Sequence, residues 1–140
     1  MFNKFKNLVG GAKKFDSRPK MLAFVAGNIY IAAADGEIEQ SELDKTEQVL
    51  RSNPSLSQFG AEISQEISRY KELAATGTAN LRLHAERQLK AITNDREAAE
   101  EVFVSMIASA SADGQIEDAE QKVLDRVGTI LGGLRVKDYE

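Results

Sequence analysis

With 140 residues, 42% of them hydrophobic and 29% charged, the chain is long enough for one domain with a proper core and too short for two ordinary ones. It has no cysteine, which excludes a disulfide framework, a thiolate metal site and a cysteine nucleophile, and makes the reducing cytoplasm the expected compartment. Charge is uneven: residues 1–20 hold six basic side chains against Asp16 alone, a net of +5, and the rest carries 12 basic and 21 acidic ones, a net of −9. An acidic body excludes nucleic acid as the main partner, because phosphate binding needs a continuous basic footprint.

The first element in chain order is a basic amphipathic helix. Phe2, Phe5, Leu8, Val9, Ala12 and Phe15 recur at three- and four-residue steps, with Lys4, Lys6, Lys13 and Lys14 between them. Lysines and phenylalanines alternate where a signal peptide would have a continuous apolar segment, and no small-residue cleavage site follows. Two uses fit this helix. It is either one more core stripe of a bundle, or a contact with an anionic membrane or a partner through Phe2, Lys4, Phe5, Lys6, Lys13 and Lys14. Residues 1–16 are accordingly set apart from a helical domain over residues 17–140.

Pro19 suits the first turn of a second helix, residues 19–34, in which Leu22, Val25, Ala26, Ile29, Ala32 and Ala33 make a wide apolar stripe. Its apolar run is broken by Gly27 and Asn28 and is shorter than the ~20 residues of a membrane span. Asp35-Gly36 ends it. A third helix, 40–51, is expected to bury Leu43, Val49 and Leu50, and Asn53-Pro54 closes it. A long helix over 56–75 presents Phe59, Ile63, Ile67, Tyr70 and Leu73, and Gly77 separates it from another over 79–92 carrying Leu81, Leu89 and Ile92. Asn94 followed by Glu97 reads as the next helix start. Val102, Phe103, Met106, Ile107 and Ala110 form its stripe until Asp113-Gly114 stops it. The last helix, 118–131, offers Val123, Leu124, Val127 and Leu131 before Gly132-Gly133. The expectation is an all-α fold, a single compact bundle of about seven helices.

A repeat runs through this layout. A shift of 78 residues lays Ala32, Ala34, Asp35, Gly36, Ile38, Glu39 and Glu42 on Ala110, Ala112, Asp113, Gly114, Ile116, Glu117 and Glu120, all identical. Each copy is an apolar helix, an acidic loop and a second helix. Two such helix–loop–helix units are expected to pack face to face about a pseudo-twofold axis, since each alone leaves an apolar face exposed.

The acids have two readings. Against the twelve-residue calcium loop, Asp35 falls at position 5, Gly36 at the sharp turn, Glu39 at position 9 and Glu42 at the bidentate position 12. Positions 1 and 3, however, are Ile31 and Ala33 in one copy and Ser109 and Ser111 in the other. The oxygens fall short of the ~6–8 that calcium prefers, so a high-affinity EF-hand is not expected, only a weak divalent-cation site, calcium first. The other reading is turn grammar: a left-handed glycine ends one helix, and Glu39 with Glu42 forms a capping box at the start of the next. Elsewhere there is no Ser-His-Asp set, no His-Glu-x-x-His and no phosphate-binding glycine loop, so no catalytic residue, no small-molecule substrate and no enzyme are expected. His84, amid Arg82, Glu86 and Arg87, reads as a solvated helix residue, and Tyr30 and Tyr70 as core or boundary residues.

The all-helical layout, the basic first helix and the paired "ADGEIEQSE" and "ADGQIEDAE" loops resemble the TerB family of tellurite-resistance proteins, over essentially the whole chain. The resemblance implies a seven-helix, non-catalytic bacterial or phage stress-response protein. It also implies metal binding by the loop acids, here Asp35, Glu39 and Glu42 with Asp113, Glu117 and Glu120, and association with TerC, a membrane-embedded partner, at the inner face of the membrane. Glu37 stands where the second loop has Gln115, so equal affinity of the loops is not expected. The alternative is a peripheral membrane or scaffold protein that acts through the basic helix, with purely structural loops.

Overall fold

The computed structural model describes residues 17–112 and 114–140. The basic helix expected over residues 2–15, with its six contact residues, lies outside the described residues, as does Asp113. Among the described residues six α-helices follow in order: α1 (Arg18–Ala32), α2 (Gln40–Arg51), α3 (Gly60–Ala75), α4 (Thr78–Lys90), α5 (Arg96–Ala110) and α6 (Asp118–Ile130). Two 3₁₀ turns, Pro54–Phe59 and Val136–Tyr139, complete them, and no strand occurs among the described residues.

The bundle is built around α1. Every residue from Met21 to Ile31 is buried, so past its exposed first turn this helix is covered on all sides, well beyond the stripe read from sequence. A helix that is apolar all round belongs inside a bundle. It packs against all five of the other described helices, most extensively α4 and α5. Its approach to α5 is close because Gly27 has no side chain: a Cβ there would stand 2.9 Å from Met106 Sδ and 3.0 Å from Val102 Cγ1. Helices α2 and α6, by contrast, are amphipathic, and each buries one face, Leu43 and Leu50 in α2, Val123, Leu124 and Val127 in α6. None of the described helices is long and apolar enough to cross a membrane.

Four local expectations are corrected. The helix expected from residue 56 begins at Gly60, because Asn53 Oδ1 accepts from Ser55 N (2.9 Å) and, with Pro54, starts a 3₁₀ turn. Its three-residue period puts Leu56 and Phe59 on the same buried side. The cap of α5 is Asp95 rather than Asn94: its carboxylate accepts from Ala98 N (3.1 Å) and pairs with Lys20 Nζ (3.1 Å), tying the start of α5 to the start of α1. These two contacts, the amide first, hold the Asp95 carboxyl below the usual range. Val49 is 68% exposed rather than buried, because Leu43 and Leu50 define the inner face of α2. His84 is not a solvated residue. Its Nε2 lies 2.9 Å from Glu66 Oε2, and its ring meets Tyr70 edge-on at 5.2 Å between centroids. Tyr30 and Tyr70 are both buried, as read.

A candidate cation and docking cleft

The two helix–loop–helix units keep the 78-residue register through their backbone chemistry. Helix α1 ends at Ala32 and α5 at Ala110, and α2 starts at Gln40 and α6 at Asp118. Gly36 (φ 94°) and Gly114 (φ 100°) both take the left-handed conformation that a Cβ resists. Gly36 N donates to Ala33 O (3.0 Å) and Gly114 N to Ser111 O (2.9 Å). Both following helices open with a reciprocal capping box: Glu39 N donates to Glu42 Oε1 (2.9 Å), Glu117 N donates to Glu120 Oε1 (3.0 Å), and each N-cap glutamate accepts in return from the backbone three residues on. Asp35 Oδ1 accepts from Glu37 N (3.0 Å) and closes the first loop as an Asx turn.

Turn grammar therefore accounts for one oxygen of Asp35, Glu42 and Glu120, and their second oxygens carry no such role. The fold brings these acids to one place. Asp35 and Glu42 from the first unit, and Glu117 and Glu120 from the second, line a single cavity of about 360 Å³, with Lys45 as the one cationic side chain among the described residues that line it. Glu39 is exposed and does not line it. Among the described residues no three acidic or histidine side chains stand together as a ready metal cage. The other EF-hand positions are committed elsewhere. Ile31 and Ala33 are buried, Ser109 Oγ donates to Asn28 Oδ1 (2.9 Å), and Ser111 Oγ donates to Ile107 O (2.8 Å). A cation here would have to bridge carboxylates of two loops and keep several waters, an arrangement that suits a weak site.

Two features of the site have no signal in the sequence pattern. Asn28, a polar residue inside the most buried helix, donates to Phe24 O (2.9 Å) and Ser105 Oγ (3.2 Å). With Val49, Leu50 and Ser109 it lines both the acidic cavity and a neighbouring one of about 230 Å³, whose other walls include Phe24, Glu101 and Ala108. The two cavities therefore adjoin along α1. The second feature is a clamp behind the first loop. Arg82 of α4 donates to Ala33 O (3.2 Å), a carbonyl at the end of α1 where a cation is favoured, and Thr78 Oγ1 donates to Gly36 O (2.6 Å). One turn along α4, Glu86 accepts from Tyr30 OH (2.6 Å) and, in a fork, from Arg126 Nε and Nη2 (2.9 Å to the latter), linking α4 to α1 and α6. The Arg126 bonds, first, and the tyrosine bond hold Glu86 below the usual carboxylate range, and burial with the glutamate contact pushes Tyr30 up to about 12. Only the pairing of Glu86 four residues after Arg82 on one α4 face could have hinted at either.

No curated protein and no solved structure matches the chain. The family model described as Tellurite resistance protein TerB matches residues 21–139, from the first buried residue of α1 to the last 3₁₀ turn, and so includes both loops and the cleft between them. The chain belongs to the TerB family.

Proposed function

We propose that the protein is a non-catalytic, tellurite-resistance-type module that binds a divalent cation weakly, calcium first, in the cleft between its loops. There it docks on a protein partner, one resembling the membrane-embedded TerC. The observation that carries this reading is the convergence of Asp35, Glu42, Glu117 and Glu120 on one cavity, where Lys45 is the one cation among the described lining residues. Asp113 joins the proposal from sequence, whereas Glu39, read as a ligand from the repeat, lies outside the cavity and serves as the cap of α2. Four carboxylates facing a shared space repel one another in water, and a bridging divalent ion removes that repulsion without any loop having to supply a full coordination sphere. The expected dissociation constant is about 10⁻⁴ to 10⁻³ M, the range of the weakest extracellular calcium modules.

Calorimetry with calcium on the full chain tests it, beside a Glu42→Gln, Glu120→Gln double variant. Glutamine still serves as the third residue of a capping box, so the variant keeps both caps and loses only charge. Heat of binding that saturates in the millimolar range and disappears in the variant is the expected result. Silence at millimolar calcium, or binding unchanged in the variant, would overturn the reading.

A further inference from the structure

We propose that a further hollow, which shares Asp35 and Ala119 with the acidic cleft, binds a phosphate dianion through Arg82, Lys122 and Arg126.

The hollow has a volume of about 500 Å³ and is walled by residues of α1, α4 and α6. Buried Tyr30 and Val123 give it an apolar wall. Three cationic side chains from two helices line it, Arg82 of α4 and Lys122 with Arg126 of α6, against the carboxylates of Asp35 and Asp118. Lys122 and Arg126 are four residues apart, so they share a face of α6 at ~6 Å along its axis.

These are not three loose surface charges. Both guanidinium groups are held in place by protein acceptors, and a site whose donors are already fixed loses less entropy when an anion arrives. Arg82 Nη2 donates to Ala33 O (3.2 Å) and Ala34 O (3.5 Å), which are carbonyls and leave its charge uncompensated. Its Nε is buried and finds no acceptor among the described residues. Arg126 spends Nε and Nη2 on Glu86, and its Nη1 lies outside that fork. Lys122 makes no hydrogen bond or ion pair with a described residue. Of the three cations, then, a carboxylate neutralises Arg126 alone, and the other two stay unpaired at one hollow.

Two unpaired cations match a dianion, and three donor groups match the three terminal oxygens of a phosphate group. A carboxylate offers one charge and two oxygens, so it fits less well. The lining acids stand toward the cleft: Asp35 belongs to both spaces, and Asp118 opens α6 one turn before Lys122 and two turns before Arg126. They repel the ligand and hold its affinity down. The chain as a whole carries a net charge of −4, so a phosphate is not drawn to it by bulk attraction. Nothing here requires a cation in the cleft, and calcium calorimetry and the experiment below fail or succeed separately.

The test is a titration of the full chain, without calcium, followed by backbone amide NMR at a pH well above ~6, the second pKa of a phosphate ester. Inorganic phosphate and a blocked phosphoserine are the two ligand arms, sodium acetate is the planar control, and sodium chloride holds ionic strength constant. Saturable shifts at the amides of Arg82, Ala119, Lys122 and Val123 are expected with phosphate and not with acetate. Tighter binding of the inorganic ion assigns the hollow to free phosphate, and tighter binding of blocked phosphoserine assigns it to a phosphorylated partner. Two variants give opposite signs. Lys122→Gln should weaken binding about fivefold, and Asp118→Asn should strengthen it by a similar factor, the size of one exposed charge contact. Both side chains are exposed, so neither change removes a core contact. Shifts confined to the basic residues 1–20, equal shifts with acetate, or equal affinity in the parent and both variants would overturn the proposal.

Discussion

Tyr70 and Tyr30 are both buried, yet only one of them has something to donate to. The Tyr70 hydroxyl finds no hydrogen-bond partner among the described residues, and burial, first, with the Glu66 charge pushes its pKa up. Tyr30 donates to Glu86. Removing a buried hydroxyl that lacks a partner relieves a desolvation cost of ~1–3 kcal/mol, whereas removing a hydrogen bond to a charged group loses ~1.5–3 kcal/mol. Urea unfolding should therefore show Tyr70→Phe as stable as the parent or more so by about 1 kcal/mol, and Tyr30→Phe less stable by about 2 kcal/mol. A loss in Tyr70→Phe would mean that the hydroxyl has a partner. Glu86 extends the argument to pH. Its folded-state pKa is depressed, so its contribution is complete above the ordinary glutamate value near ~4.3 and disappears as pH falls through the lower folded value. Glu86→Gln should accordingly be less stable at neutral pH and show a shallower loss of stability below about pH 4 than the parent. Parallel acid limbs for the two proteins would refute the assignment.

At the scale of elements, three glycines separate two causes of the same substitution's cost. At Gly36 and Gly114 a Cβ would meet nothing within 4 Å, so the cost of alanine is the left-handed backbone alone, ~1–2 kcal/mol each. The two lie in separate loops and should add nearly independently. At Gly27 the backbone is helical and alanine would even be the better helix former, but its methyl collides with Met106 and Val102 where α1 crosses α5, an overpacking cost of ~1–3 kcal/mol. Trimming the neighbour by Val102→Ala should recover part of the Gly27→Ala loss in a double-mutant cycle, while no second-site trimming rescues Gly36→Ala. These cases also mark what the sequence made legible. The Asp-Gly turns and capping boxes act through residues a few positions apart, so both loops and the start and end of α2 and α6 could be read to within a residue or two. Val49, His84 and Asn28 depend on which helix lies opposite, and no local pattern carries that. A histidine among charged neighbours looks solvated until α3 places Glu66 and Tyr70 against it.

For the molecule as a whole, the duplication implied two acidic loops at related positions but did not imply that they face one cavity. That follows from α1 and α5 crossing at Gly27, which carries both loops to the same end of the bundle. Their convergence has a thermodynamic consequence if the cleft takes calcium as proposed. A ligand that binds only the folded state stabilises it by RT ln(1 + [L]/Kd), so about 10 mM calcium against a Kd of about 1 mM adds ~1.4 kcal/mol. Salt alone also relieves repulsion among the four carboxylates, and it must be separated from binding. Sodium chloride at equal ionic strength screens all surface charges without bridging any pair, so it supplies the baseline. Calcium should raise the unfolding midpoint above that baseline in the parent and fall back to it in the Glu42→Gln, Glu120→Gln variant. The variant itself, with two fewer charges in the cleft and both caps kept, should be no less stable than the parent in the absence of calcium. Equal midpoints in calcium and sodium for the parent would leave the four carboxylates as helix caps that happen to share a cleft.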